Sequence, residues 1–328
     1  MKSPPPTLRE QRLFLGWRQK ARLNQSEKFP FGNGYAGIVW RTPNCVVARH
    51  SWFLDEIKIR MGAFSPLAPV CYRWLFGEVE ELLGSATESG RPLFPAVLEM
   101  LDLKYNCAPD EILSIPQKGP VILVSNHPYG IVEVLILGAI LNGVRGDVRF
   151  LAHYMAKSVP QIRDLVFPID PVRGQGSLAI NQRSLKQSVR HLRAGGALVL
   201  FPAGRQASFD FSTRGIREGP WTRTAALFSK WTDAPVLPVF FHGCNSWRFY
   251  AATTIHPLLG DAFAGRELTN KRGRTIRTSI GVPLESPDLL KGRGLRAATE
   301  YLRAQTLALA DRATLAQGPA SSNMLDFR

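Results

Sequence analysis

The chain is poor in cysteine, in long apolar runs and in acidic residues. Its 328 residues hold four cysteines, Cys45, Cys71, Cys107 and Cys244, and none is paired as C-x-x-C. That argues against a zinc module and provides no disulfide framework; a reducing cytoplasmic setting is the simplest reading. No stretch of about 18 apolar residues exists, so no membrane-spanning helix is expected. The nearest candidate, 131–144, is too short and contains Glu133. Met1 to Pro6 leads into charged residues and not into an apolar segment, which speaks against a secretory signal. The scarcity of acid is the most informative of the three. Against 41 Lys+Arg stand 26 Asp+Glu, a net charge of +15. Such a surface calls for an anionic partner: nucleic acid, anionic lipid, or an acidic protein or cofactor.

What is present is a globular composition, 45% hydrophobic and 20% charged, enough to build a core. Residues 1–28 interleave Lys2, Arg9, Arg12, Arg18, Lys20, Arg22 and Lys28 with Leu8, Leu13, Phe14, Leu15, Trp17 and Leu23. A basic amphipathic helix on a membrane surface and a partly ordered tail both fit this pattern. Helical spacing over 66–103 predicts an α-helical N-terminal region to about residue 105. From residue 120 short β-branched runs (121–124, 148–151, 166–169, 197–201, 236–241 and 275–282) alternate with helical patterns at 131–142, 177–194 and 221–230. Alternation of this kind predicts an α/β fold, a mainly parallel sheet flanked by helices. The organisation read from it is an N-terminal basic, mainly helical region (1–105), an α/β domain (106–290), and a C-terminal helix and tail (291–328). In such sheets ligands sit beyond the carboxyl ends of the strands.

Four strand ends carry polar signals. In Ser125-Asn126-His127-Pro128-Tyr129-Gly130-Ile131-Val132-Glu133 a histidine leaves an apolar strand and a carboxylate follows in the next helix. Imidazole can take a proton from a hydroxyl near neutral pH, and a carboxylate behind it fixes the tautomer. Spacing alone slightly favours a structural, hydrogen-bonded histidine over a catalytic one. Phe167 to Arg173 ends a strand in a guanidinium suited to phosphate. Leu200 to Ser208 runs a strand into Pro202, Gly204 and Arg205, and Val236 to Ser246 ends in His242, Gly243 and Asn245. Taken singly, Arg173 reads more simply as a solvated arginine, and the other two segments read more simply as ordinary strand-end turns.

Their order resembles the lysophospholipid (glycerol-phosphate) acyltransferase superfamily: N-H-P, then F-P-I-x-x-x-R, then F-P-A-G-R, then L-P-V-F-F-H-G-x-N-S. Within it the chain is most similar to the hemolysin-like branch that includes ornithine-lipid acyltransferases, whose motif is His-Pro-x-Gly-x-x-Asp. Five residues separate His127 from its carboxylate, as in that branch, but Glu133 replaces Asp; Ala203 stands where the superfamily commonly has Glu. The likeness spans about 95–285, with Arg277 to Leu284 resembling the closing strand.

The resemblance implies direct acyl transfer. His127 deprotonates the acceptor hydroxyl or amine, which attacks the thioester of acyl-CoA or acyl-carrier protein, and Glu133 orients His127. It puts Arg173, Gly204 and Arg205 at the acceptor's anionic head group and adds Asn126, Gly130 and Asn245 to the substrate-binding residues. The acceptor is a lysolipid, either a lysophospholipid or a lyso-ornithine-type lipid. No metal and no cofactor beyond the thioester co-substrate are implied. The expected location is peripheral, on the cytoplasmic side of an anionic membrane. A non-catalytic lipid-binding protein on the same scaffold is the alternative, suggested by Glu133 and Ala203.

Two other patterns lead elsewhere. Gly174-x-Gly176-x-x-Ala179 spells a dinucleotide fingerprint, but no acidic residue stands near 194 and this is not the first βα unit. The basic run Arg266 to Arg277 has no nucleic-acid fold motif beside it and reads as a membrane- or carrier-facing surface, so no nucleic acid is expected. No G-x-S-x-G elbow exists, which disfavours a serine hydrolase. His153, His191 and His242 show no metal spacing and read as structural.

Overall fold

The run Val121-Ile-Leu-Val-Ser125 has no polar alternation, the pattern of a strand covered on both faces. In the computed structural model, which describes residues 81–170, 175–210, 215–255, 263 and 265–315, every residue of this strand (β2) is buried. Before it come α1 (Leu93–Met100), β1 (Lys104–Asn106) and α2 (Pro109–Leu113). After it come α3 (Val132–Asn142), β3 (Val148–His153), β4 (Val166–Ile169), α4 (Gln175–Arg193) and β5 (Ala197–Leu200). A small antiparallel pair, β6 (Ser208–Asp210) and β7 (Gly215–Arg217), leads to α5 (Thr224–Thr232), β8 (Val236–Phe241) and α6 (Trp247–Ile255). The chain continues through β9 (Thr275–Ile280), α7 (Ser286–Leu290) and α8 (Leu295–Leu315).

Seven strands form one sheet in the order β1-β9-β8-β2-β5-β3-β4. Five of them, β8 to β4, are mutually parallel, with Val124 opposite Pro238 on one side and Leu200 on the other. Strand β9 runs antiparallel to β8, and β1 lies parallel to β9 at the edge. The fold is α/β, as the alternation of runs predicts.

Alternate strand residues enter two different cores, as the period of two requires. Val121, Leu123, Val199, Leu237 and Val239 pack with α1 and α3. Ile122, Val124, Leu198, Leu200 and Val236 pack with α4, α5, α7 and α8. Burying a large aliphatic side chain contributes about 1.5–3 kcal/mol, so both layers matter to stability. On the first face α1 presses onto α3 at Gly138, where an added Cβ would lie 2.4 Å from the Phe94 ring. Only glycine admits that approach.

Three boundaries depart from the sequence reading. The helical region expected to reach residue 105 gives way at Lys104 to β1, a three-residue edge strand exposed at every position. Such a strand needs no apolar alternation, so it leaves no periodic mark. The helix expected from Trp221 begins at Thr224, because Pro220 and the buried Trp221 belong to the preceding loop. The final helical stretch is divided between α7 and α8, with Gly292 at φ +62° in the break. The hairpin β6–β7 and helix α6 carry too few periodic residues to be read from sequence. The N-terminal basic segment, Arg173, Gly174 and the tail beyond residue 315 lie outside the described residues.

Candidate active site

Because β2, β5 and β8 are adjacent and parallel, the loops leaving Ser125, Leu200 and Phe241 gather at one edge. Asn126 locks two of them together. Its Nδ2 donates to the Phe241 carbonyl (2.9 Å) and its Oδ1 accepts from the Phe241 N–H (2.8 Å), one rung beyond the last β2–β8 pair. Both ends of the amide are thereby spent on backbone.

His127 follows directly. Its ring stacks on Phe201 (centroids 4.3 Å apart, planes at 22°), the first residue of the F-P-A-G-R segment. Its carbonyl accepts from the Ala207 N–H at 3.0 Å, and its own N–H donates to Glu218 Oε1 at 2.8 Å. Nδ1 faces Glu133 Oε1 at 3.6 Å and is a buried atom without a hydrogen-bond partner. Nε2 also lacks a partner among the described residues but is not sealed from solvent, and the side chain is 16% exposed.

Glu133 sits in the first turn of α3 with no exposed surface. Two features let this carboxylate remain there. The Tyr129 N–H donates to Oε1 at 2.5 Å, and the start of a helix favours negative charge. Oε2 has no partner. The bend between the two residues turns through Gly130 at φ +98°, a conformation that disfavours any side chain. Tyr129 itself is buried and donates from its hydroxyl to the His242 carbonyl at 2.6 Å. Burial, reinforced by the Glu133 charge, pushes its phenol well above the usual range.

Glu218 gives no signal in the sequence, being 91 residues from His127. Its second oxygen accepts from Trp221 Nε1 at 2.7 Å. Burial raises its pKa, opposed by the hydrogen bonds from Trp221 and His127.

Asn245 is buried. Its Nδ2 reaches the Tyr129 carbonyl (3.3 Å) and Gln206 Oε1 (3.5 Å), and its Oδ1 has no partner. The next residue, Ser246, donates from N and Oγ to Glu267, which pairs with Lys271 at 2.9 Å. Glu267 and Lys271 are each 3% exposed. Lys271 is thus not part of the charged surface expected over 266–277; Arg266, Arg272 and Arg274 of that run are exposed. Burial raises the Glu267 pKa, but hydrogen bonds from Ser246 and Lys271 outweigh it and hold the carboxyl low.

Of the residues singled out from sequence, His127, Glu133, Asn126, Gly130 and Asn245 therefore meet around one bend. Gly204 and Arg205 lie on the exposed turn that closes from the Gly204 N–H to the Phe201 carbonyl (2.9 Å). Arg205 makes no hydrogen bond or ion pair among the described residues. The His191 ring bonds the Ala197 carbonyl and the His242 ring bonds Ser279 Oγ, so neither ring is engaged with His127. Among the described residues no group of three His, Cys, Asp or Glu side chains is arranged to hold a metal ion.

An imidazole with one nitrogen turned to a buried carboxylate and the other open is equipped to move a proton. Residues 91–316 match the family model described as acyltransferase. The chain belongs to this acyltransferase family. It is 28% identical over 214 residues to a lyso-glycine lipid O-acyltransferase of Phocaeicola vulgatus, covering 62% of this chain and 72% of that one. A protein of the same name from Bacteroides thetaiotaomicron is 25% identical over 230 residues, 67% of this chain and 80% of that one. The crystal structure of the 1-acyl-sn-glycerophosphate (LPA) acyltransferase PlsC from Thermotoga maritima aligns with a TM-score of 0.43 at 18% identity, over 82% of this chain and 95% of that chain. In this acyltransferase no helix among the described residues is long and apolar enough to cross a membrane.

Proposed function

We propose that this acyltransferase moves a fatty acyl group from an acyl thioester, CoA- or carrier-protein-bound, to the hydroxyl of a lysolipid, with His127 as general base. The observation that carries this reading is the His127 ring itself, with Nε2 open at the sheet edge and Nδ1 facing the buried Glu133. Nε2 takes the proton of the acceptor hydroxyl as its oxygen bonds to the thioester carbonyl carbon. The carbonyl electron pair moves onto oxygen, then returns as the C–S bond breaks, and the departing sulfur takes the proton from His127. Glu133 stabilises the imidazolium formed between these steps.

The acceptor we favour is a lyso-amino-acid lipid, of the glycine or ornithine type, whose head group can end in a carboxylate. Its support is the name of the two relatives and the exposed Arg205 beside the site. Arg173 belongs to the same proposal through its motif. Guanidinium groups bind carboxylate and phosphate alike, so a lysophospholipid is the competing acceptor. The reading also seats the protein peripherally on the cytoplasmic face of an anionic membrane. Its support is the net charge of +15 and the half-exposed Trp247, with Arg248 over its ring, two residues beyond Asn245. Each basic residue near such a surface contributes about 1 kcal/mol.

The test is thioester consumption by purified protein, with acyl-CoA and acyl-carrier protein each offered with lyso-glycine lipid, lyso-ornithine lipid or lysophosphatidate. Turnover with an amino-acid lysolipid, reduced about 10²–10⁴-fold in a folded His127→Ala variant, is the expected result. Lipid binding without consumption of any thioester, in wild type and variant alike, would establish a non-catalytic lipid-binding protein instead.

A further inference from the structure

Gln206 was not singled out by any motif, yet its side chain lies across the bend that follows His127. A Cβ built on Gly130 would stand 1.8 Å from Gln206 Nε2, 2.7 Å from its Cδ and 3.3 Å from its Cγ, so the amide nitrogen is the end nearest the bend. The orientation of that amide follows from its neighbours. The Tyr129 carbonyl can only accept, so the Asn245 atom facing it at 3.3 Å is the donor Nδ2. The same Nδ2 faces Gln206 at 3.5 Å and requires the acceptor Oε1 there. The donor end of Gln206 is thereby turned toward Gly130.

Asn245 is itself held, because Ser246 is tied to the buried Glu267–Lys271 pair. The backbone of Gln206 is registered on the histidine as well, through the Ala207 N–H that donates to the His127 carbonyl. Nε2 of Gln206 has no hydrogen-bond partner among the described residues and is not a sealed atom. A preoriented, unspent donor lying against Gly130, three positions along the chain from the general base, is what a developing oxyanion needs.

We propose that Gln206 is a further catalytic residue, its Nε2 donating to the thioester carbonyl oxygen as negative charge gathers there. The assignment rests on the acyl-transfer reading above. During the reaction the acceptor oxygen bonds to the carbonyl carbon while its proton passes to His127, and the π pair moves to the oxygen that Gln206 faces. When that pair returns, the C–S bond breaks and the thiolate is protonated by His127. Glycine at 130 has a second reason here, since a methyl group would push the amide off the bend.

The experiment compares kcat and KM for donor and acceptor in wild type, Gln206→Ala, Gln206→Glu, Asn245→Ala and the Gln206→Ala/Asn245→Ala pair, with melting temperatures as a check on folding. Loss of one such donor lowers kcat about 10²–10³-fold, with both KM values within about threefold of wild type. Gln206→Glu, equal in size but without a donor, falls at least as far and carries the test if the truncated variant unfolds. Asn245→Ala lowers kcat in part, and the pair is no slower than Gln206→Ala alone, since the two act as one unit. The pH profile of kcat/KM keeps its shape, because the base is untouched. Gln206→Ala with wild-type kcat, a loss confined to the acceptor KM, or additive losses in the pair would overturn the assignment. A wild-type protein that consumes no thioester brings down the acyl-transfer reading itself, and this assignment with it.

Discussion

His127 Nδ1 and Glu133 Oε1 stand 3.6 Å apart, just beyond hydrogen-bond reach, although only five residues separate them and Glu133 is wholly buried. The chain reverses through Gly130 and enters α3, and the longer side chain of glutamate brings its carboxylate back toward the ring. The Tyr129 N–H holds Oε1, while Nδ1 and Oε2 keep unspent capacity. Contacts of this kind between a general base and its carboxylate tighten in the substrate complex. Glu133→Gln preserves size and the acceptor for Tyr129 but removes the charge. We expect kcat to drop by roughly 10²–10⁴-fold with little change in melting temperature. Glu133→Asp withdraws the carboxylate from an already long contact and lowers kcat too. Wild-type kcat in Glu133→Gln, measured by steady-state kinetics, would remove the carboxylate from the mechanism.

Asn126 replaces a rung of the sheet with a side chain, and its two bonds to Phe241 are buried. Asn126→Ala leaves the Phe241 N–H and carbonyl without partners. Stranding buried polar groups costs about 1–3 kcal/mol each, so urea unfolding should show a loss of about 2–6 kcal/mol for the two together. Asn126→Asp still accepts from the N–H but cannot donate to the carbonyl, and destabilises as well. A change under about 0.5 kcal/mol in Asn126→Ala would mean that water takes over the rung.

Lys271 and Glu267 form a buried pair that anchors Ser246 and, through it, the Asn245 turn. Removing one partner of such a pair costs about 3–5 kcal/mol, because the other charge is left stranded. Lys271→Met therefore destabilises strongly, and Lys271→Met with Glu267→Gln recovers much of the loss. Binding to anionic vesicles by the folded double variant should match wild type, since Lys271 is not on the surface. A vesicle-binding defect in it would return Lys271 to the docking charges.

His242 sets a pH dependence of stability. Burial, helped by the charge of Arg277, lowers its pKa from the ordinary 6.5 to about 4. In the unfolded chain the ring protonates near 6.5, while the folded chain resists protonation until about 4. The unfolded state gains protons first, so stability is full above 6.5 and declines as pH falls toward 4. His242→Gln, with a side chain that can still bond Ser279 Oγ, should flatten this part of the curve. Denaturation midpoints at pH 7 and pH 5 for the two proteins measure it, and equal slopes would show that His242 contributes nothing.

The parts of this fold that could be read in advance are those with a local mark. The strand 236–241 coincides with its apolar run because a strand covered on both faces needs apolar residues throughout. Helix α3 follows from a long apolar segment after a turn, and His127 and Glu133 belong to one bend. Strand β1 left no trace because an exposed edge of three residues buries nothing. Lys271 looks like any surface lysine until its partners are known. Nothing near Glu218 distinguishes it, and Gln206, although it follows Arg205 in the Leu200–Ser208 segment, shows its role only through partners in distant segments.

Sequence by itself determined the α/β class and the histidine–carboxylate pair, because hydrophobic periodicity and short spacings act between chain neighbours. Only the tertiary structure decided that Phe201, Ala207, Glu218, Phe241 and Asn245 converge on Asn126–Gly130. That convergence depends on β8, β2 and β5 lying side by side, and strand order is a contest among whole-chain packings that no local pattern encodes.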